Sequence, residues 1–119
     1  MFDIVYYEDE RGIKPVKEYI QELNGKTDKN TRVKFNKIVE YIRRLSLYGT
    51  TIGYPTIDKI EGADLWELRP LKDRIFFAYW KDNTFILLHY FEKKTQKTPK
   101  REIEQAERNL KDWKERFGE

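Results

Sequence analysis

The sequence contains no cysteine and only one histidine, His89. Without thiols the chain can form no disulfide, has no thiolate nucleophile and offers no zinc site of the cysteine type, which is compatible with a reducing cytosol. No apolar run approaches the roughly 18 residues needed to span a bilayer, and Met1–Glu10 lacks the basic start and apolar core of a signal peptide. We therefore expect a cytoplasmic protein that does not contact a membrane.

Ligands for a metal or a nucleotide cofactor are also missing. No set of aspartates and glutamates recurs at ligand spacing. The adjacent acids Glu8–Glu10 do not share a face in a helix or a strand, so a turn is the simpler interpretation of them. The chain has no glycine-rich phosphate loop. We expect no metal and no cofactor.

Aromatic and charged residues are plentiful. Charged residues make up 38% of the 119 positions, which would suit disorder, but the 15% that are aromatic recur at regular intervals and indicate a folded protein. The length suits one domain, residues 1–119, with a core that needs neither disulfides nor metals.

Local patterns predict five strands and three helices. We expect strands at Phe2–Tyr7, Ile57–Ile60, Asp64–Arg69, Arg74–Lys81 and Thr84–Phe91, from their aromatic and branched residues, with Asp82–Asn83 as a hairpin turn. We expect helices at Pro15–Leu23, Lys29–Tyr48 and Pro99–Phe117, from apolar residues at helical spacing. This order predicts an α+β fold, in which two N-terminal helices and a C-terminal helix pack on a mostly antiparallel twisted sheet.

Several side chains receive a more detailed prediction. Asp28 or Thr27 is expected to cap the second helix and Thr98 the third, with Pro99 as the first residue of the third helix. The outer face of the second helix carries cations, and we expect them to contact solvent or a partner: Arg32, Lys34, Lys37, Arg43 and Arg44. Alternation along the third predicted strand places Leu65, Glu67 and Arg69 on one face.

Positive charge is concentrated in Glu92–Arg101. This segment has five cations and one carboxylate, a net charge of +4, whereas the whole chain carries +3, so the remaining residues sum to −1. A local cationic patch beside aromatic strands is a reasonable footprint for a phosphate backbone. The alternative interpretation is a solvated loop and helix start, because charge runs are common on protein surfaces.

The element order, together with Leu65–Pro70, Arg74–Phe77 and especially Leu87–Ala106, resembles the HigB-type toxins, the phage-derived branch of the RelE/ParE superfamily of type II toxin-antitoxin systems. The similarity extends over essentially the whole chain. It is most specific in His89–Ala106, whereas the first 60 residues match only as a pattern.

The resemblance implies a RelE-like fold and a small toxin that cleaves mRNA, in many relatives only on a translating ribosome. It also implies a HigA-like helix-turn-helix antitoxin, encoded beside the toxin and joined with it in a heterotetramer. In relatives that cut RNA, an arginine at the position of Arg74 supports the scissile phosphate, and basic residues complete the site where Lys93 and Lys94 stand here. The sequence departs from some relatives at Leu65 and Glu67, which are basic in them, and at the end of the last strand, where lysine replaces tyrosine or histidine.

RNA cleavage needs few protein groups because RNA carries its own nucleophile, the 2′-hydroxyl. We assign the phosphate contact to Arg74, supported by Arg69, because a guanidinium is planar and stays charged. Lys93 or Lys94 is expected to transfer protons or stabilise charge; neighbouring cations lower a lysine's pKa and a bound phosphate raises it, so the choice between them stays open. Further RNA contacts are expected from Lys72, His89, Tyr90, Lys97, Lys100 and Arg101.

His89 and Tyr90 have competing structural interpretations. A lone histidine on a strand, alternating with Leu88 and Tyr90 and followed by no carboxylate at useful spacing, is more often structural than catalytic. Tyr90 can stack on a base, but packing in the core is the more common use of such a residue.

Two other functions remain open from the sequence. One is a ParE-like toxin that poisons DNA gyrase on a similar fold without cleaving RNA; Arg69, Arg74 and the Lys93–Lys94 pair weigh against it. The other is a noncatalytic RNA-binding module, for which the same cations suffice.

Overall fold

The computed structural model describes residues 1–119 and contains five strands and three helices. The strands are β1 (Asp3–Tyr6), β2 (Ile57–Lys59), β3 (Trp66–Leu68), β4 (Asp73–Tyr79) and β5 (Thr84–Glu92). The helices are α1 (Pro15–Asn24), α2 (Lys29–Tyr48) and α3 (Lys100–Phe117), and a 3₁₀ turn, Gly49–Ile52, follows α2. The predicted α+β fold and the order of its elements are confirmed.

One open sheet contains all five strands, in the order β1-β5-β4-β3-β2. The pairs β2–β3, β3–β4 and β4–β5 are antiparallel, and β1 lies parallel to β5. The hairpin between β4 and β5 turns at Asp82 and Asn83, which both adopt the positive φ that a tight two-residue turn requires. The sheet is therefore mixed but mostly antiparallel.

Helices cover both faces of the sheet. On one face, α1 and α2 pack through Val16 and Ile38 onto residues of β4 and β5, among them Phe77 and Leu87. On the other face, α3 packs onto the sheet through a buried stripe that includes Trp113. The central strand β4 is buried along six consecutive residues, Asp73–Ala78, because both of its faces are covered. None of the three helices combines the length and the apolar character that a membrane crossing requires.

The helix starts are set by different contacts. Asp28 caps α2 as predicted, since its carboxylate accepts a hydrogen bond of 3.0 Å from the amide of Thr31. This bond to the charged form lowers the pKa of Asp28. The predicted cap of α3 is wrong: Pro99 occupies the position before its first residue, and the hydroxyl of Thr98 donates instead to Glu67 on β3, at 3.2 Å. Thr98 therefore ties the loop before α3 to the sheet.

Candidate functional site

Four of the predicted site residues line one cleft. Lys72, Arg74, Lys93 and Lys94, together with Leu71, Thr95 and Gln96, surround a cleft of about 400 Å³. The antiparallel register explains their meeting, because Asp73 pairs with Glu92 and the segments just outside the two strands therefore lie side by side. The amide of Lys93 donates to the carbonyl of Lys72 at 2.7 Å, which continues the pairing into the cleft.

Arg74 is held rigidly by the backbone. Its Nη1 donates to the carbonyl oxygens of Leu71 and Asp73, each at 2.8 Å. Its buried Nε has no hydrogen-bond partner and lies 3.8 Å from a carboxylate oxygen of Glu67. These two hydrogen bonds hold the guanidinium in place without a ligand. Since Arg74 also lines the cleft, its charge is already positioned for an anion such as a phosphate.

The buried side chain of Glu67 contacts Arg74 on the protein side of the cleft and links it to Arg69 and Thr98. Its carboxylate is only 2% exposed and lies between two guanidiniums, 3.5 Å from Arg69 and 3.8 Å from Arg74, with Thr98 as a hydrogen-bond donor. Alternation along β3 predicted that Glu67 and Arg69 share a face, but sequence reasoning assigned Glu67 no function. Its contacts with Arg74 and Thr98 join residues that are far apart in the chain.

Arg69 is not brought into the cleft. Its guanidinium contacts Glu67 and Asp58, each at 3.5 Å, and lies over the ring of Tyr54 at 5.3 Å. The sequence assigned Arg69 to support Arg74 at the phosphate; in the structure the two arginines converge on the buried carboxylate of Glu67, because that charge needs compensation. Arg69 therefore does not line the cleft and can influence it only indirectly, through its contact with Glu67, which in turn contacts Arg74.

The electrostatics of Arg74 reflect these neighbours. Burial is the main effect that lowers the pKa of Arg74, and the nearby charge of Arg69 acts in the same direction, whereas Glu67 and Asp73 oppose it. Arginine nevertheless stays protonated at physiological pH. The positive charge in the cleft is thus permanent at this position.

His89 lies outside the cleft, against α3. A β-bulge between Phe76 and Phe77 places an extra residue on β5, so that Leu88 and His89 both contact the α3 side of the sheet instead of alternating. His89 Nε2 lies 2.8 Å from the carboxylate of Glu102 on α3. The sequence did not identify this carboxylate partner, and the contact favours a role for His89 in joining β5 to α3.

Tyr90 is directed to the opposite face, where its ring stacks on Tyr19 of α1 with centroids 4.0 Å apart. Burial raises the pKa of Tyr90. The cations Lys97, Lys100 and Arg101 are exposed and lie after the cleft, in the loop and first turn of α3. These four residues do not line the cleft.

A second polar cluster adjoins the cleft on the α2 side. Lys34 lies 3.4 Å from both Asp73 and Glu92, and the hydroxyl of Tyr19 donates to Asp73 at 2.9 Å. Lys34, expected on a solvent-facing surface, is therefore an ion-pair partner at the edge of the site. Burial raises the pKa of Asp73 although Tyr19 and Lys34 oppose the shift; Lys34 remains charged, because its contacts with Tyr19 and Asp73 outweigh its own burial and raise its pKa.

Two further cavities differ from the cleft in character. One of about 390 Å³ is lined by Lys34, Leu71, Lys72, Asp73 and Glu92, and shares Leu71 and Lys72 with the cleft. The largest cavity, about 840 Å³, lies elsewhere, between the β2–β3 connection and α3, and mixes lysines with carboxylates. The cleft is the smaller feature but the one whose lining has cations and no carboxylate, so we regard it as the candidate site.

The arrangement suits the binding of an anion with several oxygens. The guanidinium of Arg74 and three lysines line the cleft and can attract a phosphodiester, and no carboxylate lines the cleft to compete with it. No group of three or more histidine, cysteine, aspartate or glutamate side chains lies close enough together to hold a metal ion.

Comparison with known proteins places the chain in a family. The family model described as phage derived protein Gp49-like (DUF891) matches residues 19–111, which include every residue that lines the cleft. No curated protein matches the chain significantly. Since the matched region is most of its length, the chain belongs to the phage-derived Gp49-like family, a family of RelE/ParE-like toxins.

Proposed function

We propose that this chain is a HigB-type toxin of a type II toxin-antitoxin system and that it cleaves mRNA without a metal. The observation that supports this most is the cleft in which Lys72, Lys93 and Lys94 surround an Arg74 held by two backbone carbonyls. A guanidinium that is already held in place can stabilise the charge that develops on a phosphate in the transition state without further reorganisation.

The proposed reaction uses the substrate's own 2′-oxygen. That oxygen attacks the adjacent phosphorus, forming a P–O2′ bond as the P–O5′ bond breaks, which leaves a 2′,3′-cyclic phosphate and a 5′-hydroxyl. Arg74 stabilises the charge on the nonbridging oxygens. One proton leaves the 2′-hydroxyl and one is delivered to O5′; Lys93 and Lys94 are the cleft residues that can carry them.

A translating ribosome is the proposed cosubstrate. An ordinary lysine is almost entirely protonated at neutral pH and so rarely free to accept the proton of a 2′-hydroxyl, and the protein alone would catalyse the reaction slowly. A ribosome that holds the mRNA in an aligned conformation would supply the missing orientation. This cosubstrate places the proposed activity in the cytoplasm.

The proposed regulator is a HigA-like helix-turn-helix antitoxin that binds the toxin in a heterotetramer. Membership of a toxin family supports such a partner. We expect the antitoxin to cover the cationic cleft or to distort it, because either change would prevent the mRNA backbone from reaching Arg74.

The proposal is tested by inducing the wild type and Arg74→Ala in growing bacteria and mapping transcript ends by primer extension, before and after translation is blocked. We expect new 5′ ends with the wild type only, and their loss when translation stops. Arg11→Ala is the matched control, since this arginine is exposed in the turn after β1, far from the residues that line the cleft and assigned no contact with RNA; it should cleave as the wild type does.

Arg74 is buried, so its replacement can also affect folding. Lys94→Ala, at an exposed position of the cleft, provides a second variant that should fold normally and cleave less. Growth arrest with intact transcripts would contradict the ribonuclease proposal and favour a gyrase target. RNA binding without any new 5′ ends would favour a noncatalytic RNA-binding module.

A further inference from the structure

Leu71 adopts a backbone conformation that leucine normally avoids. It is the first central residue of the turn Pro70–Asp73, which is closed by a hydrogen bond of 3.1 Å from the amide of Asp73 to the carbonyl of Pro70. Its φ is 57°, and Lys72, the second central residue, has no positive φ. Glycine is the usual residue at such a position, because a Cβ is strained there.

The side chain of Leu71 contributes little to the fold. It is 52% exposed and belongs to neither of the two buried apolar clusters. The turn uses only its backbone, whose carbonyl accepts the hydrogen bond from Arg74. Glycine would provide the same carbonyl with less strain. Strained residues that persist without a structural reason are concentrated at functional sites.

Leu71 also occupies a particular place. Together with Lys72 it forms a ridge between the cationic cleft of about 400 Å³ and the neighbouring cavity of about 390 Å³. The two sides of this ridge differ in charge. The cleft is lined by four cations and no carboxylate, whereas the neighbouring cavity combines Lys34 with Asp73 and Glu92.

We propose that the side chain of Leu71 contacts a nucleobase of the bound RNA, and that the RNA chain crosses the ridge at this residue. A phosphate lies in the cleft, and the base of an adjoining nucleotide packs on the leucine side chain and enters the neighbouring cavity. The lining of that cavity has two lysines and two carboxylates, so its net charge of zero does not attract a phosphate and suits a polar, uncharged base, while the leucine supplies apolar contact to the face of the ring. This inference rests on the proposed function and adds a residue that contacts a base through the face of its ring.

Three variants separate the side chain from the backbone. Leu71→Gly relieves the strain and removes the apolar contact, Leu71→Asn tolerates positive φ with a polar side chain, and Leu71→Met keeps apolar surface. The probe is an RNA oligonucleotide that spans a mapped cleavage position and carries a 2′-O-methyl group there, so that it binds without being cut. Affinity is measured by fluorescence anisotropy and thermal stability by circular dichroism.

We expect Leu71→Gly to melt at the wild-type temperature or slightly above it, yet to bind the RNA about tenfold more weakly, in keeping with the loss of one base contact. Leu71→Asn should show a similar loss of affinity, and Leu71→Met should bind nearly as well as the wild type. Wild-type affinity in Leu71→Gly would overturn the proposal.

A second probe assigns the contact to a base. The same RNA is made with an abasic nucleotide at each position flanking the cleavage position. At one of these positions the abasic RNA should bind the wild type about tenfold more weakly than the intact RNA does. Leu71→Gly should bind the abasic and the intact RNA almost equally, because its base contact is already missing. Equal losses in both proteins at every position would show that Leu71 does not contact a base.

The remaining outcomes concern other partners. If Leu71→Gly binds and cleaves RNA normally but no longer binds the antitoxin encoded beside it, the leucine is a protein contact and the proposal is wrong. If the wild type produces no new transcript ends at all, the proposed function itself fails, which is a result distinct from a failure at Leu71 alone.

Discussion

Single buried charges determine how the candidate site is built. Glu67 is nearly inaccessible, yet it faces Arg69 and Arg74 and accepts a hydrogen bond from Thr98. A buried carboxylate is costly unless it is compensated, and the two guanidiniums would in turn be costly without it. The residue that resemblance identified only as a departure from relatives therefore acts as the common partner of the arginines.

Glu67→Gln is expected to lower the free energy of unfolding by about 3 kcal/mol, because it leaves buried guanidinium charge without its counterion. Urea denaturation checks the value. RNA cleavage should fall as well, since Arg74 loses one of the groups that orient it. Glu61→Gln, at an exposed carboxylate in the loop after β2, is the control and should change stability by less than about 0.5 kcal/mol. Equal stability of both variants would contradict this account of Glu67.

At the scale of elements, the end of α2 and the start of β1 form one packed unit. The amide of Phe2 donates to the carbonyl of Ser46 at 2.7 Å, and the hydroxyl of Ser46 donates to the carbonyl of Phe2 at 2.7 Å. Gly49 ends the helix with a φ of 62°, and a Cβ built there would lie 2.7 Å from Cε2 of Phe2. Two separate features therefore require glycine at position 49: the positive φ, which strains other residues, and the aromatic ring of Phe2, which leaves no room for a Cβ.

Gly49→Ala should destabilise the protein by about 2 kcal/mol, because strain at positive φ adds to a steric clash. Gly25→Ala is the matched comparison at the end of α1. Gly25 has a φ of −78°, and the nearest atom to an added Cβ is a carbonyl oxygen 3.6 Å away, so this variant should be neutral or slightly stabilising. Thermal unfolding of the two proteins decides the matter; similar melting temperatures would refute the requirement for glycine at position 49.

Across the whole molecule, two tyrosine hydroxyls connect the layers. Tyr7, just after β1, donates to Asp112 of α3 at 2.6 Å, and Tyr19 of α1 donates to Asp73 of β4 at 2.9 Å. Burial, together with the neighbouring carboxylate, raises the pKa of each tyrosine to about 12, and the opposing effect of a nearby cation does not cancel it. Each hydroxyl is therefore protonated far above the ordinary pKa of tyrosine.

The raised pKa values of Tyr7 and Tyr19 predict the range of alkaline pH over which the folded state loses stability. The folded state holds these two protons more tightly than the unfolded chain, so their stabilising effect is complete below about pH 10. It declines as the pH rises from about 10, the pKa of tyrosine in an unfolded chain, towards the folded value of about 12. Urea denaturation between these pH values should show a smaller decline in Tyr19→Phe than in the wild type. Tyr48→Phe, at an exposed tyrosine, is the control and should decline like the wild type.

The local parts of the fold were predictable because their causes are local. The helix Lys29–Tyr48 was predicted with its observed bounds, since apolar spacing, the Asp28 cap and the terminal glycine all lie within it or beside it. The turn at Asp82–Asn83 was predicted for the same reason. The hairpin then brings residues before β4 next to residues after β5, so Lys72, Arg74, Lys93 and Lys94 meet, as the sequence and its resemblance led us to expect.

Other features depend on contacts between distant segments. The face of the sheet on which His89 lies is set by a β-bulge in the pairing of β4 with β5. The position of such an extra residue depends on the partner strand, and the order of apolar and polar residues along β5 does not reveal it. Thr98 caps no helix because Glu67, 31 residues earlier, offers a buried acceptor. Arg69 turns from the cleft to the same carboxylate.

The sequence alone thus determined the secondary structure, the fold class and the cations that meet at the edge of the hairpin, because periodicity, caps and turn residues act over a few positions. Only the tertiary structure decided that Arg69 contacts the buried carboxylate of Glu67 and does not line the cleft, and that Arg74 does both. Compensation of such a charge is a matter of distance in space, and the separation of residues along the chain does not encode it.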